Sequence, residues 1–167
     1  MAPNGGNMSY SAGLLMYRGE YPKIEVFLCH PGGPFFANKN KGHWGIPKGK
    51  VENKETKISA AIREFEEETG VKVPVNAEFI SLDETQQNKH KIVKAWAFYN
   101  DIGNVKIESN TFDLEYPPKS GKYVKCPELD DGRFFAISDA YDFIRPKQGV
   151  FIDRLIEILK KEYAKAR

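Results

Sequence analysis

Cysteine is nearly absent: Cys29 and Cys126 stand alone and far apart in 167 residues, with no paired metal-ligand spacing. That leaves no disulfide framework to build a fold on, and both thiols are expected to be buried and reduced. Histidine is almost as scarce, since His30, His43 and His90 are scattered with no Ser or Cys arrangement and no zinc spacing around them. Each is expected to be an ordinary loop or strand-end residue, and no His-based nucleophile is read here. An excess of one charge is missing too. The formal net charge is only +2, which gives no electrostatic footprint for duplex nucleic acid or an anionic membrane, whereas a small phosphorylated substrate is compatible with it. No apolar run approaches membrane-spanning length, and MAPNGGN at residues 1–7 lacks the basic-then-apolar pattern of a signal segment. A cytoplasmic protein is the expectation. With no internal repeat, residues 1–8 are expected to be a disordered tail and 9–167 one domain, whose 41% apolar and 13% aromatic content allows a sizeable core.

What is there is a succession of apolar runs punctuated by turn residues. Residues 9–18 (SYSAGLLMYR) and 23–30 (KIEVFLCH) predict two strands of a hairpin, with Ile24, Val26 and Leu28 inward and a turn at 19–22. Residues 31–42 are rich in Gly, Pro, Asn and Lys and predict a loop, whose HPGG lacks the Gly-Lys-Ser/Thr of a phosphate-cradling P-loop. Two further strands are predicted over 75–84 and 90–100 about an exposed tip at 85–89, and another within 105–116. The breaker cluster PPKSGK follows at 117–122, then a short strand at 133–137. Residues 138–144 predict a helix capped by Ser138, and 149–163 a longer one carrying Val150, Leu155, Ile158 and Leu159 on its apolar side. The fold class is α+β, an α/β/α sandwich with a mixed sheet between helices.

The most informative stretch is 49–71. A helix is predicted over 54–69, because Ile58, Ala61, Ile62 and Phe65 recur at i, i+3, i+4 and i+7 and make one apolar stripe. Pro47 and Gly49 give a turn before it, Asn53 a candidate N-cap, Glu55 an acid in the first turn, and Gly70 a C′ glycine. Glu64, Glu67 and Glu68 stand in i, i+3, i+4 relation on a second face, with Glu66 turned away. Like charges so placed destabilise a helix by a few tenths of a kcal/mol, roughly, and call for something to offset them. A hard divalent cation, Mg²⁺ or Mn²⁺, takes oxygen ligands and would turn the repulsion into a binding site. Arg63, four residues before Glu67, can fix that side chain. Taken alone, a Glu-rich run is more often a solvated helix face.

The full spacing decides against that. Gly49, Glu55, Arg63, Glu64, Phe65, Glu67, Glu68, Gly70 and Val71 fall at every fixed position of the Nudix box, so the chain resembles the Nudix hydrolases. The resemblance implies metal-dependent hydrolysis of a nucleoside diphosphate linked to a further group. It makes Glu64, Glu67 and Glu68 metal ligands together with the Lys48 backbone carbonyl, with Glu67 or Glu68 as base, Arg63 orienting, and Glu55 closing the loop-helix junction. Outside the box, Glu128 corresponds to a metal-binding or general-base Glu of several Nudix enzymes, although Glu128, Asp130 and Asp131 read equally as an acidic surface loop. Trp44 either stacks a base or packs, and packing is the commoner outcome. Lys48 and Lys50 are the remaining candidate substrate contacts. The lead-in WGIPKGKVE is similar to that of diadenosine tetraphosphate hydrolases, while HPGGPFF and EYPPKSGK resemble a bacterial branch of nucleoside triphosphate pyrophosphohydrolases. A dinucleoside polyphosphate is therefore the first substrate expectation, ordinary or oxidised nucleoside triphosphates the second. Residues 86–89 hold neither the Pro of many ADP-ribose hydrolases nor the Tyr of some dinucleoside polyphosphate hydrolases. A non-catalytic nucleotide-binding module or an isomerase on the same fold remains a further alternative.

Overall fold

In a computed structural model that describes residues 8–167, strands β1 (Ser9–Glu20) and β2 (Lys23–Pro31) form the expected hairpin, with Tyr17 opposite Val26 and Glu20 opposite Lys23. The tail expected at 1–8 lies, up to residue 7, outside the described residues. Phe27 and Cys29 are buried as fully as Ile24, Val26 and Leu28, because this part of the sheet is covered on both faces. β4 (Phe79–Asn88) and β5 (Lys91–Tyr99) pair antiparallel, and β5 then runs parallel to β1 along Ser9 to Tyr17. With β8 (Leu129–Ala136) on β2, the sheet order is β4-β5-β1-β2-β8. One parallel pair among antiparallel ones makes the sheet mixed.

Helix α1 (Lys57–Thr69) lies on one face, where Ala60, Ala61 and Phe65 pack with Ala12, Leu14, Met16, Phe27 and Phe98. Helices α2 (Ile137–Phe143) and α3 (Gly149–Lys165) cover the other, where Phe151, Ile152 and Leu155 meet Leu15, Val26, Leu28 and Leu82. The sandwich is as expected, and each large side chain so buried stabilises by about 1.5–3 kcal/mol before entropy is set against it.

Four elements differ from the sequence pattern. The polar stretch 85–88 is strand, not tip, because Thr85, Gln86 and Asn88 still pair with Val93, Ile92 and Lys91; an edge strand tolerates polar side chains. β8 begins at Leu129, as pairing with Pro31 across a bulge extends it before the aromatics. β7 (Tyr123–Pro127) is unanticipated and pairs with β6 (Thr111–Glu115) as a separate two-stranded sheet, mostly exposed and so without alternation. Ser138 lies inside α2, whose N-cap is Ala136 with no side-chain hydrogen bond.

Two features shape the site. β1 pairs with β2 only from Tyr17 onward, and β3 (Lys48–Lys50) occupies the earlier side of β1 at Ser11 to Gly13. Residues 44–50 are thus wedged in by Gly45 on Cys29 and by the Pro47 carbonyl on the Leu14 N–H. At the outer edge of the sheet, Arg154 donates to the carbonyls of Leu82 (2.7 Å) and Glu84 (3.0 Å), and Lys147 to that of Gln87 (2.7 Å).

Candidate active site

The helix that carries the carboxylates starts later than the pattern suggests. Thr56 is its N-cap, the hydroxyl accepting from the Ser59 N–H at 3.2 Å, whereas Asn53 lies outside it and Lys54 turns through a left-handed φ of 67°. Glu55 consequently precedes the helix instead of standing in its first turn. One oxygen accepts the Glu52 N–H at 3.0 Å, and the pair accepts Arg63 Nε (2.7 Å) and Nη2 (3.0 Å). The Arg63 hydrogen bond, above all, holds the Glu55 carboxyl down at about 2. Gly70 ends the helix at φ 76°, its N–H on the Glu66 carbonyl, and Glu66 turns away to the Val73 N–H at 2.8 Å.

Arg63 also ties the helix to the wedge, donating from Nη1 to Glu67 at 2.9 Å and from Nη2 to the Lys50 carbonyl at 3.2 Å. Glu64 reaches over Gly49 so closely that a Cβ there would sit 1.6 Å from a carboxylate oxygen. The box glycine is the space the glutamate fills. Glu68 points into a cleft of about 150 Å³ between the wedge and the start of β8, and Glu128 faces it from the other strand end. Burial first, then Arg63 in opposition and Glu67 and Glu128 in support, leave the Glu64 carboxyl above its usual range. Burial, then Glu128, Glu64 and Glu67, push Glu68 up to about 8. Asp130 instead meets His30 Nδ1 at 2.7 Å, and Asp131 binds Arg133 at 2.7 Å, so of the three acids in that loop Glu128 alone lines the cleft.

The same cleft also holds cations. Lys48 lines it with its amine lowered to about 8 by burial, then by Lys91 and Arg145. His43, Arg145 and Gln148 join it with no signal in the sequence. They arrive through a parallel bridge that sets Trp44 against Ile144, the Arg145 N–H donating to the Trp44 carbonyl at 2.8 Å, and through Gln148 Oε1, which accepts the Ile46 N–H at 2.9 Å. Two expected substrate contacts lie apart from the open cleft. Trp44 is 2% exposed, packed edge-on against Phe135 and beside His30, and offers no ring face to a base. Lys50 gives its carbonyl to Arg63, and its exposed side chain lies outside the cleft. Cys29 also lines the cleft, and burial and then Glu68 push its thiol well above the usual range.

The donor set fits a hard divalent cation. It is all oxygen, and Glu68 Oε2 is buried with no hydrogen-bond partner among the described residues. Among those residues no three His, Cys, Asp or Glu side chains cage an ion by themselves, so backbone and substrate oxygens would have to complete the shell.

Helix-borne Glu68 and, from outside the helix, Glu128 thus share one cleft with the half-buried cations Lys48 and Arg145, beside a mixed sheet between helices, a set of charges suited to a metal ion and phosphate oxygens. The NUDIX domain profile matches residues 9–155, and the chain belongs to the Nudix family, whose members generally use a divalent metal. A Caenorhabditis elegans protein provisionally named nudix hydrolase 1 is 33% identical over 111 residues, 65% of this chain but only 28% of that protein. Among solved structures, a C. elegans Ap4A hydrolase in a binary complex is similar at TM-score 0.59 and 23% identity, over 92% of this chain and 99% of that one. The NUDIX domain of Shewanella oneidensis NrtR, complexed with ADP ribose, is similar at 0.57 and 14% identity, over 98% and 94%. At such identities the likeness is one of fold. No helix of the described residues is long and apolar enough to cross a membrane.

Proposed function

We propose that this protein hydrolyses a phosphoanhydride bond in a dinucleoside polyphosphate such as diadenosine tetraphosphate. The observation that carries this is the mixed lining of one cleft, where Glu68 and Glu128 share the space with Lys48 and Arg145. Mg²⁺, with Mn²⁺ as a substitute, would be held by the Lys48 carbonyl and by carboxylates drawn from Glu64, Glu67, Glu68 and Glu128, no three of which surround one ion as they stand. Bound there, the ion supplies a Lewis acid that lowers the pKa of water and draws charge from phosphate oxygens.

The chain's own residues do the rest. Arg63 locks Glu67 and, through the Lys50 carbonyl, the wedge, so carboxylates and the Lys48 backbone keep one spacing. Glu67, Glu68 or Glu128 accepts the proton of the attacking water. As water attacks phosphorus the anhydride P–O bond breaks, and its electron pair leaves on the departing phosphate, whose charge Lys48 and Arg145 neutralise. The lead-in WGIPKGKVE and the fold shared with an Ap4A hydrolase support the substrate. A second reading, nucleoside triphosphate pyrophosphohydrolysis including oxidised nucleotides, is favoured by the lack of a Tyr at 86–89. The complete box argues against a binding-only module. Nucleotide products from diadenosine tetraphosphate (a mononucleotide pair) and from the common triphosphates (monophosphate with pyrophosphate), separated by chromatography and compared as kcat/KM, test the ordering; a clear preference for a triphosphate reverses it.

A further inference from the structure

Beyond the carboxylates the cleft does not end. His43, Arg145 and Gln148, which line it, also line a second hollow of about 480 Å³, completed by Phe36, Gln87, Asn88 and Lys147. That volume lies within the roughly 300–1,000 Å³ of small-molecule sites. Arg145 stands at the junction. Its guanidinium lies 5.9 Å above the Phe36 ring and makes no ion pair or side-chain hydrogen bond among the described residues, although it is half-buried. A half-buried cation without an anion is costly unless a ligand supplies one. In the second hollow the lining changes, from carboxylates and cations to the Phe36 ring with the amide side chains of Gln87 and Asn88. Lys147 already gives one proton to the Gln87 carbonyl at 2.7 Å, and Phe36, Gln87 and Asn88 add uncharged surface beside it. A flat ring bearing hydrogen-bonding edges suits this lining.

We infer that the second hollow holds a nucleobase of the substrate, stacked on Phe36, and that Arg145 grips the phosphates lying between that base and the carboxylates. This rests on the polyphosphate reading of the main cleft. It assigns to Phe36 and Arg145 the base recognition that the buried Trp44 cannot provide.

Calorimetric binding of diadenosine tetraphosphate, ATP and inorganic tetrapolyphosphate with Mg²⁺ in a Glu67→Gln background tests it, with melting temperatures as a folding check. Phe36→Leu keeps the apolar bulk and removes the aromatic face. It should weaken the two nucleotides by about tenfold more than the baseless tetrapolyphosphate, in keeping with the energy of a base on an aromatic ring. Arg145→Gln should weaken all three to a similar degree, and Arg145→Lys should restore part of the loss. If Phe36→Leu lowers nucleotide and tetrapolyphosphate binding equally, or neither, the base site is overturned while the polyphosphate cleft stands. If the parent binds none of the three, the polyphosphate reading itself fails and takes this inference with it.

Discussion

At the scale of single residues, the site is built from close contacts. Gly49→Ala would place a Cβ on the Glu64 carboxylate. The clash falls on the far end of a flexible side chain, so the variant should keep its melting temperature within a few degrees while Glu64 is displaced. Turnover should fall by about 10²-fold, the usual effect of an ångström's misplacement. Parent-like turnover would show that Glu64 needs no such seat. The raised Glu68 carboxyl makes a claim about pH. Its folded-state value, about 8, exceeds the ordinary 4.5, so the native state binds the proton more tightly and metal-free stability from this group falls as pH rises between those values. Lys48, lowered to about 8 from 10.5, acts in the opposite sense only above pH 8. Melting curves in chelator should therefore decline from pH 5 to 8 more steeply for the parent than for Glu68→Gln, and added Mg²⁺ should raise the parent's melting temperature most near pH 8. Equal slopes for the two proteins would remove the basis for this. Activity should collapse in chelator and in Glu67→Gln with folding retained, and substantial chelator-resistant turnover would count against a metal site. Glu128→Gln should cut kcat strongly, whereas Asp130→Asn, which touches the His30 contact and not the cleft, should show its effect in stability first.

At the scale of elements, α1 shows how far a pattern can be read. Its apolar stripe was legible because Ile58, Ala61, Ile62 and Phe65 obey the helical period, and its end because Gly70 is the residue that takes a positive φ cheaply. Its start was not. Asn53 and Thr56 are both good caps, and the choice between them is made by Glu55, whose carboxylate is drawn to Arg63 eight residues on and pulls its segment out of the helix. Thr56→Ala should accordingly cost about 1 kcal/mol in denaturant unfolding, and Asn53→Ala well under half of that. The reverse order would restore the earlier cap. The cationic lining was illegible for a different reason: His43, Arg145 and Gln148 come from segments about a hundred residues apart, joined by backbone bridges that leave no periodic trace. Trp44 packs for the same reason, since a ring next to the box in sequence meets Phe135 of β8 and Phe143 of α2 in the core.

At the scale of the whole molecule, the sandwich followed from strands buried on both faces and two amphipathic helices, whereas the β6-β7 sheet did not, its exposed residues having no buried face to impose alternation. The outer strand β4 has a further consequence. A bare outer strand offers a row of free carbonyls and amides to any other extended chain, and proteins that leave one long and flat tend to stack edge to edge. Here the third helix and the turn before it spend two long basic side chains on three of those carbonyls. Arg154→Ala, far from the cleft, should leave the initial fold intact yet let concentrated samples thicken into larger particles over days, as light scattering would follow. If that variant keeps the parent's size distribution, the strand is guarded by its own polar side chains alone. Otherwise the protein's shelf life at high concentration hangs largely on one arginine that plays no part in its chemistry.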